Sequence, residues 1–73
     1  MTYFHKTRIG TFYIRQKNDR WHIHFQDEDL GGYPSAHQAA LDLAGGRLAM
    51  PSDDLDTALL GISGNIGDWV IAR

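Results

Sequence analysis

No cysteine occurs in the 73 residues, which excludes disulfide staples and thiolate metal sites and fits a reducing compartment. Nor is there an apolar run near the ~20 residues needed to span a bilayer. The opening stretch, MTYFHKTRIG, has no apolar core of the kind a secretory signal carries. These absences make a cytoplasmic protein without a membrane span the expectation. Length adds a limit of its own. A chain this short buries only about 60% of the surface it exposes when unfolded, so one domain over 1–73 is expected, with little room for a deep catalytic cavity. Composition is that of an ordinary globular protein, 42% hydrophobic and 22% charged.

Charge is unevenly spread. The formal net charge is -2. Residues 1–24 nevertheless hold Lys6, Arg8, Arg15, Lys17 and Arg20 against Asp19 alone, while the remainder sets Asp27, Glu28, Asp29, Asp42, Asp53, Asp54, Asp56 and Asp68 against Arg47 and Arg73. A split of this kind marks a face for a polyanion, or it lets the two halves attract each other.

Hydropathy patterning places the elements. RIGTFYIR (8–15) is rich in β-branched and aromatic residues. In RWHIHFQ (20–26) Trp21, Ile23 and Phe25 alternate strictly with His22, His24 and Gln26, the pattern of a half-buried strand. Asn18-Asp19 between these runs favours an antiparallel hairpin. LGGY reads as a brief third strand, and its Gly31-Gly32 pair as a bend or a close backbone approach. Ser35 and Gln38 have the spacing of a capping box. Behind them Ala36, Ala39, Ala40 and Leu43 recur along one helical face, and Gly45 supplies a left-handed stop. An alanine face lets the helix axis lie close to a sheet whose bulk comes from Phe12, Trp21 and Phe25. Further on, Ser52 with Asp53 and Asp54 reads as a second helix start. Trp69, Val70 and Ile71 are read as pinning the glycine-rich tail to the core, with a short strand as one form they can take.

LGGYPSAHQAALDLA resembles the end of the plant ethylene-response (Apetala-type) DNA-binding domain, with Leu30, Gly31, Tyr33, Ser35, Ala36, Ala39 and Ala40 matching without a gap. The likeness covers roughly residues 8–45. It implies three antiparallel strands crossed by one helix, a fold similar to the arm-type DNA-binding domains of tyrosine recombinases. It also implies that the sheet face opposite the helix is the DNA-reading face. Two positions depart from that pattern: Asp29 stands where the family has an aromatic residue and Gln26 where it has arginine.

The face opposite the helix is expected to carry Thr11, Tyr13 and Arg15 from one strand and Arg20, His22, His24 and Gln26 from the next. Arg and Tyr pair with phosphates and stack on bases, while a polar face is also what any one-sided sheet presents to water. His22 and His24 point the same way. A shared metal would need a third ligand such as His5 or Glu28, and the favoured reading is that they are solvent-exposed cross-strand neighbours of Tyr13 or Arg15. His37 is expected on the surface. Asp53, Asp54 and Asp56 lack the spacing, central glycine and closing glutamate of a calcium loop. GISGNIGDW lacks the lysine of a phosphate loop. With Ser35, Ser52 and Ser63 in caps or glycine-rich turns, no catalytic set stands out, and no enzyme, metal or cofactor is expected.

The sequence thus predicts an α+β domain. A three-stranded antiparallel sheet is packed on one face by a helix over 35–44, with a short helix near 53–60 and an irregular tail. The β-β-β-α core spans 8–45 and the C-terminal extension 46–73. The expected core is Phe12, Ile14, Trp21, Ile23, Phe25, Leu30, Ala36, Ala39, Ala40, Leu43, Leu59 and Trp69. Two functions fit. The first is nucleic-acid binding through Arg8, Tyr13, Arg15, Lys17 and Arg20, with His22 and His24 in support. The second is a protein-interaction module using the same face or an exposed strand edge. Acids of the Asp27-Glu28-Asp29 turn bordering the basic face favour a protein partner, and acids turned away favour nucleic acid.

Overall fold

The computed structural model describes residues 1–47 and 57–72. The chain first forms a meander of β1 (Thr2–Thr7), β2 (Gly10–Lys17), β3 (Arg20–Phe25) and β4 (Glu28–Tyr33), then α1 (Ala36–Ala44). A 3-10 turn at Thr57–Leu59, a second at Ile66–Asp68 and the strand β5 (Val70–Ala72) complete it. The expected class holds, but the sheet has five antiparallel strands rather than three, in the order β4-β3-β2-β1-β5.

β1 was not expected, β5 is the short strand allowed for the Trp69-Val70-Ile71 tail, and RIGTFYIR is not one strand. Arg8 and Ile9 form the turn between Thr7 and Gly10, which close the β1–β2 pairing. Tyr3 and Phe4 lie on opposite faces of β1, so that stretch shows no clean apolar alternation. The tail returns as β5 and pairs Val70 with Phe4. Of the expected second helix, Ser52, Asp53, Asp54 and Asp56 lie outside the described residues, as does the Leu59 side chain. The described end of that segment is the single turn Thr57–Leu59.

Two-residue loops set the register. Thr7 faces Gly10, Lys17 faces Arg20 and Phe25 faces Glu28. In the latter two loops the first residue has positive φ, Asn18 at 56° and Gln26 at 55°, the sign a tight hairpin loop of type II′ demands there. Asn tolerates this region and Gly occupies it freely; Gln does not. The tight loops fix the parity of β1, β2 and β3 relative to one another. One side of the sheet therefore collects Phe12, Ile14, Ile23 and Phe25, all buried, and Phe12 stacks on Phe25 with ring centroids 4.4 Å apart. Each such side chain removed from water contributes roughly 1.5–3 kcal/mol.

α1 lies over this side and buries Ala36, Ala39, Ala40 and Leu43. Ser35 caps it by accepting from the Gln38 amide at 3.1 Å. The Gln38 side chain does not complete a capping box. It donates instead to Asp42 (3.0 Å), which also takes the Tyr33 hydroxyl and ties β4 to the helix. Burial and then the Asp42 charge push that hydroxyl above its ordinary range. The helix stop also differs in detail. Gly45 stays right-handed at φ -83° and Gly46 takes the left-handed position at 71°. The amides of Gly46 and Arg47 then reach back to Leu43 and Asp42, the paired bonds of a Schellman ending.

Most expected core residues are buried; Trp21 and Leu30 are half-buried against the cluster, and Ile62 joins it. Trp69 is buried with its indole N–H donating to the Ser63 carbonyl at 2.9 Å. Among the described residues no helix is long and apolar enough to cross a membrane.

The loop geometry yields a stability prediction. Gln26→Gly should raise the unfolding free energy by about 1 kcal/mol, because it relieves a left-handed glutamine. A urea midpoint that is unchanged or lower than wild type would refute it.

Candidate nucleic-acid interface

With the apolar parity turned toward α1, the other parity of every strand faces outward. It presents Thr2, Phe4 and Lys6 from β1, Thr11, Tyr13, Arg15 and Lys17 from β2, and Arg20, His22 and His24 from β3. Among the expected contacts Tyr13, Arg15, Lys17, Arg20, His22 and His24 come together on this face. Arg8 does not, because it is exposed in the β1–β2 turn. Gln26 likewise leaves the face for the β3–β4 loop.

Register places His24 opposite Tyr13 and His22 opposite Arg15. The Arg15 guanidinium lies over the Tyr13 ring, 5.0 Å from its centroid, a cation–π contact. Beside it stands a residue the sequence reading did not place here. Phe4 pairs with Tyr13 across β1 and β2, their centroids 6.3 Å apart. Val70 of β5 pairs with Phe4 in turn and is 54% exposed. The outcome is a row running across the strands, Val70–Phe4–Tyr13–His24, with cations on both sides. The sequence gives Phe4 no such place, because adjacent Tyr3 and Phe4 break the alternation that would mark an N-terminal strand.

β4 completes the face through an irregularity. Ile23 pairs with Gly31, but His24 pairs with Asp29, so Leu30 is an extra residue in β4. Asp29, opposite His24, faces outward and Leu30 packs against the core, while the bulge keeps Tyr33 on the helix side opposite Trp21. Its carboxylate accepts from His22 Nδ1 (3.0 Å to Oδ2, 3.3 Å to Oδ1) and from the Gly31 amide (3.0 Å). Burial alone would raise the Asp29 pKa. The Gly31 amide, the His22 and His24 charges and the His22 hydrogen bond outweigh it and hold the carboxyl below its ordinary value.

The close approach expected at the glycine pair occurs at Gly32. A Cβ there would sit 3.1 Å from His22 Cε1 and 3.2 Å from Arg20 Nε. Both side chains thus lie flat across β4, and Arg20 Nη2 donates to the Gly32 carbonyl at 3.2 Å. His5, named as a possible third metal ligand, is remote from His22 and His24. Its ring packs against Trp69 at 5.2 Å, from the β1 side of the sheet. Among the described residues no three His, Cys, Asp or Glu side chains are grouped to hold a metal ion. His37 is exposed on α1.

Where β1 runs on past its pairing with β5, an open cleft of about 410 Å³ forms between Phe4, His5, Lys6, Asp68 and Val70. It adjoins the Phe4 end of the aromatic row. Asp68 there accepts from the Ser63 hydroxyl at 2.8 Å. No protein-family profile, curated protein or solved structure matches this chain.

The acidic member of the face gives a pH prediction. A carboxyl whose pKa falls on folding stabilises the fold above its unfolded value, and that contribution disappears as pH drops through the folded one. Asp29→Asn should therefore lose part of the wild-type stability difference between about pH 5 and pH 2, read from urea midpoints at each pH. An acid limb identical in the two proteins would show that Asp29 contributes nothing to it.

Proposed function

We propose that the chain is a non-enzymatic binding module whose outer sheet face holds the phosphate backbone of a nucleic acid. One observation carries the reading. Strand parity brings Lys6, Arg15, Lys17 and Arg20 onto the same face as His22 and His24, and Asp29 is the one acid that the register places among them. A polyanion is the chemistry complementary to that face. The likeness of residues 30–44 to the Apetala-type DNA-binding domain supports the same face, although Gln26 and Asp29 depart from that pattern.

Asp29 bears on the choice between partners. It does border the basic face, and this favours a protein partner. Two facts reduce its weight. Its charge is engaged by His22 and the Gly31 amide, and its neighbours keep off the face. Asp27 lies in the β3–β4 loop, and Glu28 stands opposite Phe25, on the helix-side parity. The protein-partner reading keeps a second support in β5, an edge strand whose Val70 and Ile71 are 54% and 42% exposed. Such an edge can accept a further strand.

The test is binding of mixed-sequence DNA and RNA, single- and double-stranded, by wild type and by the Arg15→Glu/Arg20→Glu double variant. Wild type should bind at low salt, with log K falling against log salt at a slope of about -3 to -4 if the four cations each meet a phosphate. The double reversal should abolish binding while the amide spectrum stays folded. Binding that survives the reversal, or that ignores salt, would eliminate this face as a phosphate site. Absence of any binding by wild type would leave the protein-interaction reading in possession.

A further inference from the structure

We infer that the ligand of this face is single-stranded, its unpaired bases lying on the Phe4–Tyr13–His24 row while the flanking cations meet the phosphates. The inference rests on the nucleic-acid reading above and specifies the form of nucleic acid. Four observations carry it.

First, the row consists of flat rings, Phe4, Tyr13 and His24, set side by side. A duplex offers a protein base edges and phosphates but hides its base faces. A strand with unstacked bases offers the faces, and aromatic side chains on a sheet are the surface on which such bases stack. Second, the rings stand on adjacent strands. Phe4 is opposite Tyr13 and Tyr13 opposite His24, with 6.3 Å between the first two centroids. A strand crossing the sheet at right angles to the β-strands therefore meets them in succession. Third, the Tyr13 ring already takes a flat cation, the Arg15 guanidinium lying over it 5.0 Å from its centroid. A base on that ring finds the guanidinium beside it, within reach of its own phosphate. Fourth, the row does not end at Phe4. The cleft lined by Phe4, His5, Lys6, Asp68 and Val70 continues it, with the Lys6 ammonium for a phosphate and the Asp68 carboxylate as an acceptor for a base N–H.

Phe4 also has little other reason to face outward. It lies on the parity opposite the core, where a polar residue would serve a solvated face equally well, and Tyr13 raises the same question. A row of half-buried rings between Lys6, Arg15 and Arg20 is what stacking with charge neutralisation requires.

The experiment is fluorescence anisotropy with three labelled probes: a mixed-sequence DNA dodecamer, its RNA counterpart, and the duplex the DNA strand forms with its complement. Wild type, Phe4→Leu/Tyr13→Leu and Arg15→Glu/Arg20→Glu are compared at low salt. Because the two rings are partly buried, the fold of the first variant is checked by its amide spectrum. The ring protons of Phe4 and Tyr13 in wild type are followed directly as the single strand is added, so the answer does not depend on the variant folding. Wild type is expected to bind a single strand at least about tenfold more tightly than the duplex, with upfield movement of both rings' protons. Replacing the rings should weaken single-strand binding about tenfold or more, as loss of one or two stacked bases implies, and leave duplex binding nearly as it was. Duplex affinity equal to or above single-strand affinity, or ring protons unmoved at saturation, overturns the single-strand inference but keeps the phosphate face. Binding of none of the probes overturns both.

Discussion

Register is the constraint on which this structure depends. Side chains alternate along a strand with a period of two, so a slip of one residue in any pairing would exchange the core for the outer face. Two devices hold the register. The loops at Arg8-Ile9, Asn18-Asp19 and Gln26-Asp27 are each two residues long and leave no slack. On the helix side, Phe12 and Phe25 are stacked and Ile14 is opposite Ile23, so a slipped strand would bring Tyr13 or His24 beneath the helix. The alanine face of α1 belongs to the same device. Ala39 and Ala40 are fully buried, and longer side chains there would hold the helix away from the rings. Overfilling a packed core typically costs about 1–3 kcal/mol.

Fixed parity has a consequence for charge. Once Phe12, Ile14, Ile23 and Phe25 are inside, Tyr13, Arg15, His22 and His24 have no alternative but the outer face. The basic character of residues 1–24 thereby becomes a property of a surface rather than of a stretch of sequence. The bulge at Leu30 makes the one adjustment. The Phe25–Glu28 loop already turns Asp29 outward, where His22 receives it, and Leu30 inward. Unbroken alternation would then send Tyr33 outward, and the extra residue returns it to the helix side, opposite Trp21. Gly32 then leaves space for His22 and Arg20 to lie across β4.

The parts of this architecture legible in the sequence are those whose pattern is local. RWHIHF alternates without exception, and Ser35 through Leu43 keep helical spacing over a full apolar face, so β3 and α1 were readable together with most of the core. β1 was not, because Tyr3 and Phe4 are adjacent apolar residues with different destinations, one packed against the core and one on the outer row. Hydropathy does not separate the two; only the pairing with Ile14 and Tyr13 does. β5 has three residues and depends on β1 for its ladder, so the sequence allows a short strand there but does not show its partner. Small polar choices were decided by neighbours distant in sequence. Gln38 turns to Asp42 because Asp42 is already oriented toward Tyr33, and Gly46 rather than Gly45 takes the left-handed turn that seats Arg47 on the helix end. Of the outer face, the β2 and β3 contributions could be read, whereas Phe4, Val70 and the emergence of Asp29 required the fold.

Among the described residues Phe12, Ile14, Ile23, Phe25, Leu43, Ile62 and Trp69 fill the core beside the alanines of the helix. The cations and outward rings gather on the sheet face that the helix leaves uncovered. That face need not contain aromatic residues to remain in water, and cations with threonine would suffice. Rings there expose apolar area to solvent, which is unfavourable unless something flat covers them. Within the protein, Arg15 covers Tyr13 in part, while Phe4 and Val70 keep an open side toward the cleft. A flat, negatively charged partner that satisfies rings and cations together offsets both the exposed apolar area and the mutual repulsion of Lys6, Arg15, Lys17 and Arg20. The same pairing with ordered counterions would answer the repulsion alone. The arrangement of rings, more than the number of charges, is what distinguishes a surface for bases from a merely basic one.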